Sequence, residues 1–169
     1  MSQPDGGIYI ALGANLPGSS GTPRETLEAA LALFPSQDMR VLRHSSWWRS
    51  PAQPAGDQPD FINGMVEVAT ALEPAEVLAR LHDLESRFGR VRRKRWEARV
   101  LDLDLIDYRG RQSGGAEGTP VLPHPRLRER LFVLLPLQEV APNWRHPADG
   151  MEIQNLIMLA NPLKINKIE

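Results

Sequence analysis

The chain has 169 residues, 41% of them apolar and 24% charged, with a formal net charge of -1. That composition suits one soluble globular domain burying roughly two thirds of its unfolded surface, and it excludes a protein that binds polyanions through overall charge. With no cysteine, disulfides, thiolate catalysis and Cys-ligated zinc are excluded as well.

The start, MSQPDGG, has neither the basic nor the apolar region of a secretory signal. The most apolar run, Leu131 to Leu137, is interrupted by Pro136 and is too short to span a bilayer. A cytoplasmic protein, monomeric and without a membrane partner, is the expectation.

Ile8 to Leu12 is a continuous apolar run that suits a central strand buried on both faces. Gly13 to Gly18 reads as a turn-rich loop, with glycines too few and wrongly spaced for a dinucleotide or P-loop fingerprint. Thr22-Pro23-Arg24-Glu25 is a capping box with proline at the first helical position. Leu27, Ala30, Leu31 and Phe34 continue at helical spacing, so a helix to about Phe34 is expected, stopped by Pro35.

Met39 to Trp48 is expected to be the second strand, and the proline-rich Arg49 to Asp60 a loop. In Ile62 to Leu72, Ile62, Val66, Val68 and Leu72 alternate with Asn63, Met65 and Glu67, which predicts a third strand with one buried face. Pro74 opens a second helix with the apolar stripe Val77, Leu78, Leu81, Leu84 and Phe88; Glu85 lies beside the stripe, and Gly89 ends the helix.

The next stretch carries the chemistry. Arg90, Arg92, Arg93, Lys94, Arg95 and Arg99 surround Trp96, and Val100-Leu101-Asp102-Leu103-Asp104-Leu105-Ile106 follows at once. In a strand Asp102 and Asp104 share one face and Leu101, Leu103 and Leu105 the other, with the two carboxylates roughly 6.6 Å apart along the chain. Like charges so placed call for a cation between them. A cationic loop beside them suggests Mg²⁺ with a polyphosphate, the aspartates holding the metal and the arginines the phosphate oxygens. Taken singly, the basic run equally fits a solvated face or a nucleic-acid patch, and the aspartates the exposed side of a half-buried strand; side by side they favour the phosphate reading.

Downstream, Arg109 to Glu117 is expected to be a flexible connection and Thr119 to His124 extended between prolines. Arg126 to Val140 should be partly helical with a break near Pro136. Ile153, Leu156, Ile157 and Ala160 predict a short last helix, with residues 161–169 a tail beyond a core of about 8–160. His44, His82 and His146 have no metal-site spacing, and Trp47, Trp48 and Trp144 read as packing. The element order is β-α-β-β-α-β with helices after it, an α+β fold of the split βαβ, ferredoxin-like kind, in a single domain.

Five ordered motifs add a resemblance. They are Ala11-Leu12-Gly13-Ala14-Asn15-Leu16, Asp57-Gln58-Pro59-Asp60-Phe61-Ile62-Asn63, Gly89-Arg90-Val91-Arg92, Arg95 to Asp104, and Pro123-His124-Pro125. Together they resemble the 6-hydroxymethyl-7,8-dihydropterin pyrophosphokinases of folate biosynthesis, from about Ile8 to Ala160. The resemblance implies a ferredoxin-like sandwich and transfer of the β,γ-pyrophosphoryl group of ATP to the pterin's hydroxymethyl oxygen, releasing AMP. By the same resemblance, Asp102 and Asp104 would hold two Mg²⁺ ions. Arg90 and Arg92 would meet the phosphates, and Arg95, Trp96 and Arg99 would close over the nucleotide. Phe61 and Phe132 would sandwich the pterin, Asn63 would bond its edge, and the backbone near Ser50, Ala52 and Gln53 would read the rest. Glu85 and His124 would lie near the nucleotide and Arg130 near the phosphates or product.

The chain departs from the family pattern at Glu97-Ala98, where Gly-Pro is usual, at Phe61 where tyrosine is common, and at Pro125, which follows His124 where an aromatic residue is common. The charge confined to one loop, with no aromatic pair on a central strand, speaks against a nucleic-acid module of the same fold.

Overall fold

The computed structural model describes residues 6–52, 58–89, 100–116, 118–160 and 165–168. Its centre is β1 (Ile8–Ala14), hydrogen-bonded antiparallel to β4 (Phe61–Ala69) on one side and β5 (Asp102–Tyr108) on the other. The sheet runs β5-β1-β4-β3-β8, where β3 is Trp47–Ser50 and β8 Asn166–Ile168; β2 (Arg40–His44) pairs with the far end of β4. This is the expected ferredoxin-like α+β arrangement, since the strand carrying the aspartates and the third predicted strand flank the first.

Each face of the sheet has its own core. Ile8, Ile10, Leu12, Val66, Leu101, Leu103 and Leu105 meet α1 (Pro23–Ala32) and α2 (Pro74–Arg87) through Leu27, Ala30, Val77, Leu81 and Leu84. Tyr9, Met65 and Ile106 meet α3 (Leu131–Val140) and α4 (Ile153–Leu159) through Val133, Leu134, Leu137, Ile153 and Leu156. The first helix starts as its capping box predicts: Glu25 N–H donates to Thr22 Oγ1 at 3.2 Å, and Thr22 N–H to Glu25 Oε1 at 3.1 Å.

Several expectations need correction. The second predicted strand is two, β2 and β3, parted at Ser45–Ser46; Ser45 Oγ accepts the Met65 N–H at 2.9 Å and donates to its neighbour's carbonyl at 2.7 Å, which turns the chain without leaving the sheet. β4 is buried on both faces, not one, because α3 covers Met65 and Asn63 is 5% exposed. α3 runs on through Pro136. The ring removes a single donor, to the carbonyl of Phe132, and burial of Val133, Leu134, Pro136, Leu137 and Val140 offsets that loss.

The connection expected to be flexible contains β6 (Ser113–Gly114), paired with β7 (Val121–Leu122). Residues 166–168, expected to be tail, add an edge strand to β3. Past Leu105 the alternation of β5 slips: Ile10 faces Leu105 but Tyr9 faces Asp107. Ile106 lies on the α3 side, as the alternation has it, and the bulge sends Asp107 to the same side, where it accepts the indole N–H of Trp144 at 2.8 Å.

Thr26, fully buried in α1, has an Oγ1 without a hydrogen-bond partner. Desolvating a hydroxyl that makes no bond is unfavourable, so Thr26→Val should stabilise the fold by about 1 kcal/mol. Urea denaturation checks this; a destabilised valine variant would show that the hydroxyl is satisfied in solution.

Candidate active site

The D-x-D pair lies as the alternation predicts, on the face of β5 turned away from Leu101, Leu103 and Leu105. Opposite them on β1 stand two residues with almost no side chain: Asp102 pairs with Gly13 and Asp104 with Ala11. The row continues through Gly13 to Asn63 on β4 and from Asn63 to Trp48 on β3. Directly opposed residues of antiparallel strands point to the same side, so carboxylate, open lane, carboxamide and indole share one face. The lane has to stay open. A Cβ on Gly13 would lie 3.2 Å from Asn63 Oδ1 and 4.0 Å from the Phe61 ring.

The strand is fixed from both edges. β1 holds one, and on the other the Leu103 N–H donates to Glu85 Oε2 at 2.9 Å. Glu85 is 2% exposed, so the structure places it behind the aspartates, where it holds the backbone between them. Asn63 is fixed similarly: its Nδ2 donates to the Oγ of Ser50 at 2.8 Å, with Ser50 and Ala52 both buried. Phe61 opens β4, beside Ser50 in register.

α3 closes the face from above. Arg130 caps its start with Nη1 3.9 Å from Asp104 Oδ2, and its guanidinium sits 5.7 Å from the centre of the Phe132 ring. Burial draws the Arg130 guanidinium below its usual range, against the opposing pull of Asp104; it remains a cation at neutral pH. His124 reaches the site because its N–H donates to the carbonyl of Ile106, at the bulge. Its Nδ1 accepts the N–H of Arg126 at 3.2 Å. A neutral ring bonded this way carries its proton on Nε2 and has no free acceptor nitrogen.

Arg90, Arg92, Arg95, Trp96, Arg99 and Gln53 lie outside the described residues. Of the remaining predicted residues, the structure gathers Asp102, Asp104, Arg130 and His124 at one end of the face and Phe61, Asn63 and Ser50 at the other, with Glu85 behind. Sequence reading missed Asn15, which is 1% exposed and donates to the Pro59 carbonyl at 3.1 Å and to Gln58 Oε1 at 3.3 Å. It ties the loop after β1 to the segment that leads into Phe61, and its signal in the sequence was its place in the first of the five motifs.

Two carboxylates on one face suit Mg²⁺, a hard cation that takes one or two protein carboxylates and fills its shell with water and phosphate oxygens. Among the described residues no group of three or more His, Asp or Glu could encage an ion, so the donor set fits a metal shared with a substrate.

Burial, aided by Arg130 and Arg126, lowers His124 from 6.5 to about 4. The folded value lies below the unfolded one, so stability contributed by the neutral ring is complete above about pH 6.5 and is lost as pH falls toward 4. The denaturation midpoint should fall over that range, and less steeply in His124→Asn. Parallel profiles for the two proteins would contradict the assignment.

Comparison with known proteins agrees with this geometry. Residues 9–142 match the model of the 7,8-dihydro-6-hydroxymethylpterin-pyrophosphokinase family. A 2-amino-4-hydroxy-6-hydroxymethyldihydropteridine pyrophosphokinase of Synechocystis is 43% identical over 152 residues, covering 89% of this chain and 74% of the relative. One of Pseudomonas aeruginosa is 38% identical over 151 residues, covering 89% of each. Among solved structures, an HPPK-DHPS in complex with substrates superposes with a TM-score of 0.66 at 10% identity, over 90% of this chain and 45% of that one. The last is a likeness of fold, and this chain spans less than half of that structure's length. The family match and the two curated relatives carry the assignment: the chain belongs to the 7,8-dihydro-6-hydroxymethylpterin pyrophosphokinase family.

Proposed function

We infer that the chain transfers the β,γ-pyrophosphoryl group of ATP to the hydroxymethyl oxygen of 6-hydroxymethyl-7,8-dihydropterin, releasing AMP, as a step of folate biosynthesis. The observation that carries this reading is the pair Asp102 and Asp104 on one open face, aligned through Gly13 with Asn63. It sets a phosphate end and a heterocycle end on one surface, joined by a lane without side chains.

Transfer of this kind needs little covalent help, so positioning and charge neutralisation are the protein's work. Asp102 and Asp104 would hold two Mg²⁺ ions. Bound there, the metal would neutralise phosphate charge and ease loss of the acceptor hydroxyl proton. Arg130 adds a fixed cation beside Asp104. Arg90 and Arg92 would bind phosphate oxygens, while Arg95, Trp96 and Arg99 would act on the nucleotide. Asn63, held by Ser50, presents its carboxamide to the pterin edge, Phe61 and Phe132 supply the stacking surfaces, and backbone groups of Ala52 and Gln53 would read the rest of that edge.

His124 offers an Nε2–H donor to the nucleotide. Its only acceptor nitrogen is already engaged by Arg126, which makes it unfit as the base that takes the hydroxyl proton. Glu85 serves the nucleotide side through Leu103, by keeping the aspartates in line.

Asp104→Asn should lower turnover by at least about a thousandfold with its unfolding midpoint nearly unchanged, since the Asp104–Arg130 pair is long and one third of the aspartate side chain is exposed. A variant that keeps most of its activity in Mg²⁺ would contradict the metal assignment. Arg95→Ala should lower the turnover number rather than raise the Michaelis constant, as expected of a group acting on the transition state. The opposite pattern would make Arg95 a binding residue only.

A further inference from the structure

α3 lies across the sheet from β5 to β3, and a charged side chain meets the sheet at each of its ends. At the N-terminal end Arg130 meets Asp104. At the C-terminal end Glu139 gathers three hydrogen-bond donors and a cation. Its Oε1 accepts the indole N–H of Trp48 at 2.6 Å. Its Oε2 accepts the Ser46 hydroxyl at 2.9 Å and the Ser46 N–H at 3.1 Å, and Lys167 Nζ stands 3.9 Å away. So many donors on one carboxylate, only a quarter exposed, is more than solubility requires. Phe132 and Glu139 are seven residues apart in one helix and therefore share a face two turns apart. Trp48 is the direct sheet neighbour of Asn63. One carboxylate thus joins the helix that carries one wall of the cleft to the strand beside its floor.

We propose that Glu139 is a positioning residue for the pterin: by binding Trp48 and Ser46 it sets the separation between Phe132 on α3 and the Phe61–Asn63 segment of β4. The proposal rests on the reading of that face as the pterin site. Glu139 touches no substrate in this account. It acts through the indole, whose ring also lies under Lys167 at 5.3 Å from the ammonium, and through the helix. Hydrogen bonds to a charged acceptor are among the stronger ones a protein makes, so loss of the Glu139 charge, or of one of its donors, should loosen the wall without dissolving the fold.

The test is steady-state kinetics with both substrates varied, together with calorimetric binding of the pterin in the presence of Mg²⁺ and a non-hydrolysable ATP analogue. Glu139→Gln should raise the Michaelis and dissociation constants for the pterin about tenfold while those for ATP and the turnover number stay within about twofold. Trp48→Phe should do the same, and the double variant should be no worse than the poorer single one, since both cut one path. A merely structural carboxylate would lower the unfolding midpoint and leave the pterin constants of the folded protein unmoved; that result overturns the proposal. Asn63→Ala is the control on the underlying reading. If it weakens pterin binding and Glu139→Gln does not, the cleft stands and Glu139 has no part in it. If Asn63→Ala leaves pterin binding intact, the cleft reading fails and the proposal with it. Should Glu139→Gln not fold, Ser46→Ala, which removes one donor at the surface, decides by the same pterin-against-ATP split.

Discussion

Everything in the site depends on keeping two carboxylates pointing the same way from a strand at the edge of a sheet. An edge strand offers a partner on one side only, and like charges on one face push it to twist away. Here the paired side is ordinary: Asp102 and Asp104 sit opposite Gly13 and Ala11. The free side is closed by a buried glutamate, whose Oε2 takes the Leu103 N–H between them. The opposite face of the same strand packs Leu101, Leu103 and Leu105 into the core with α1 and α2. A strand so held cannot slip by one residue without burying both aspartates and exposing three leucines.

The rest of the cleft follows from what is small and what is fixed. Glycine at position 13 leaves the middle of the face open, where a Cβ would come within 3.2 Å of Asn63 Oδ1. Asn63 is oriented by Ser50, and the approach to Phe61 is tied down by Asn15. α3 then spans the opening, with Arg130 facing Asp104 at β5 and Glu139 hydrogen-bonded to Trp48 at β3. Affinity for a flat heterocycle depends on the spacing of such walls, and preorganised walls spare the ordering that binding otherwise requires.

How much of this was legible depended on whether the signal was local. The period-two pattern from Leu101 to Leu105 placed the aspartates correctly because that stretch pairs regularly with β1. The pattern failed at Asp107, where a bulge that no local residue announces turns Asp107 to the α3 side beside Ile106. Thr22 to Glu25 gave the first helix start because a capping box is contained in four residues. The Ser45–Ser46 break was hidden, since Ser45 bonds to Met65 twenty residues later. β4 looked half-exposed from Asn63 and Glu67, yet the clue to its second buried face lay elsewhere, in a helix apolar nearly all round from Leu131 to Leu137. Glu139 and Trp48, 91 residues apart, left no trace in any periodicity. The family and the shared face of the two aspartates were therefore readable from motifs, while the long-range contacts around them were not.

The most direct measurement identifies the nucleotide released when the purified protein meets Mg²⁺, ATP and 6-hydroxymethyl-7,8-dihydropterin. The account predicts AMP, formed only when the pterin is present and in equal amount to pyrophosphorylated pterin. Release of ADP or of free pyrophosphate in its place would contradict pyrophosphoryl transfer at the Asp102–Asp104 face.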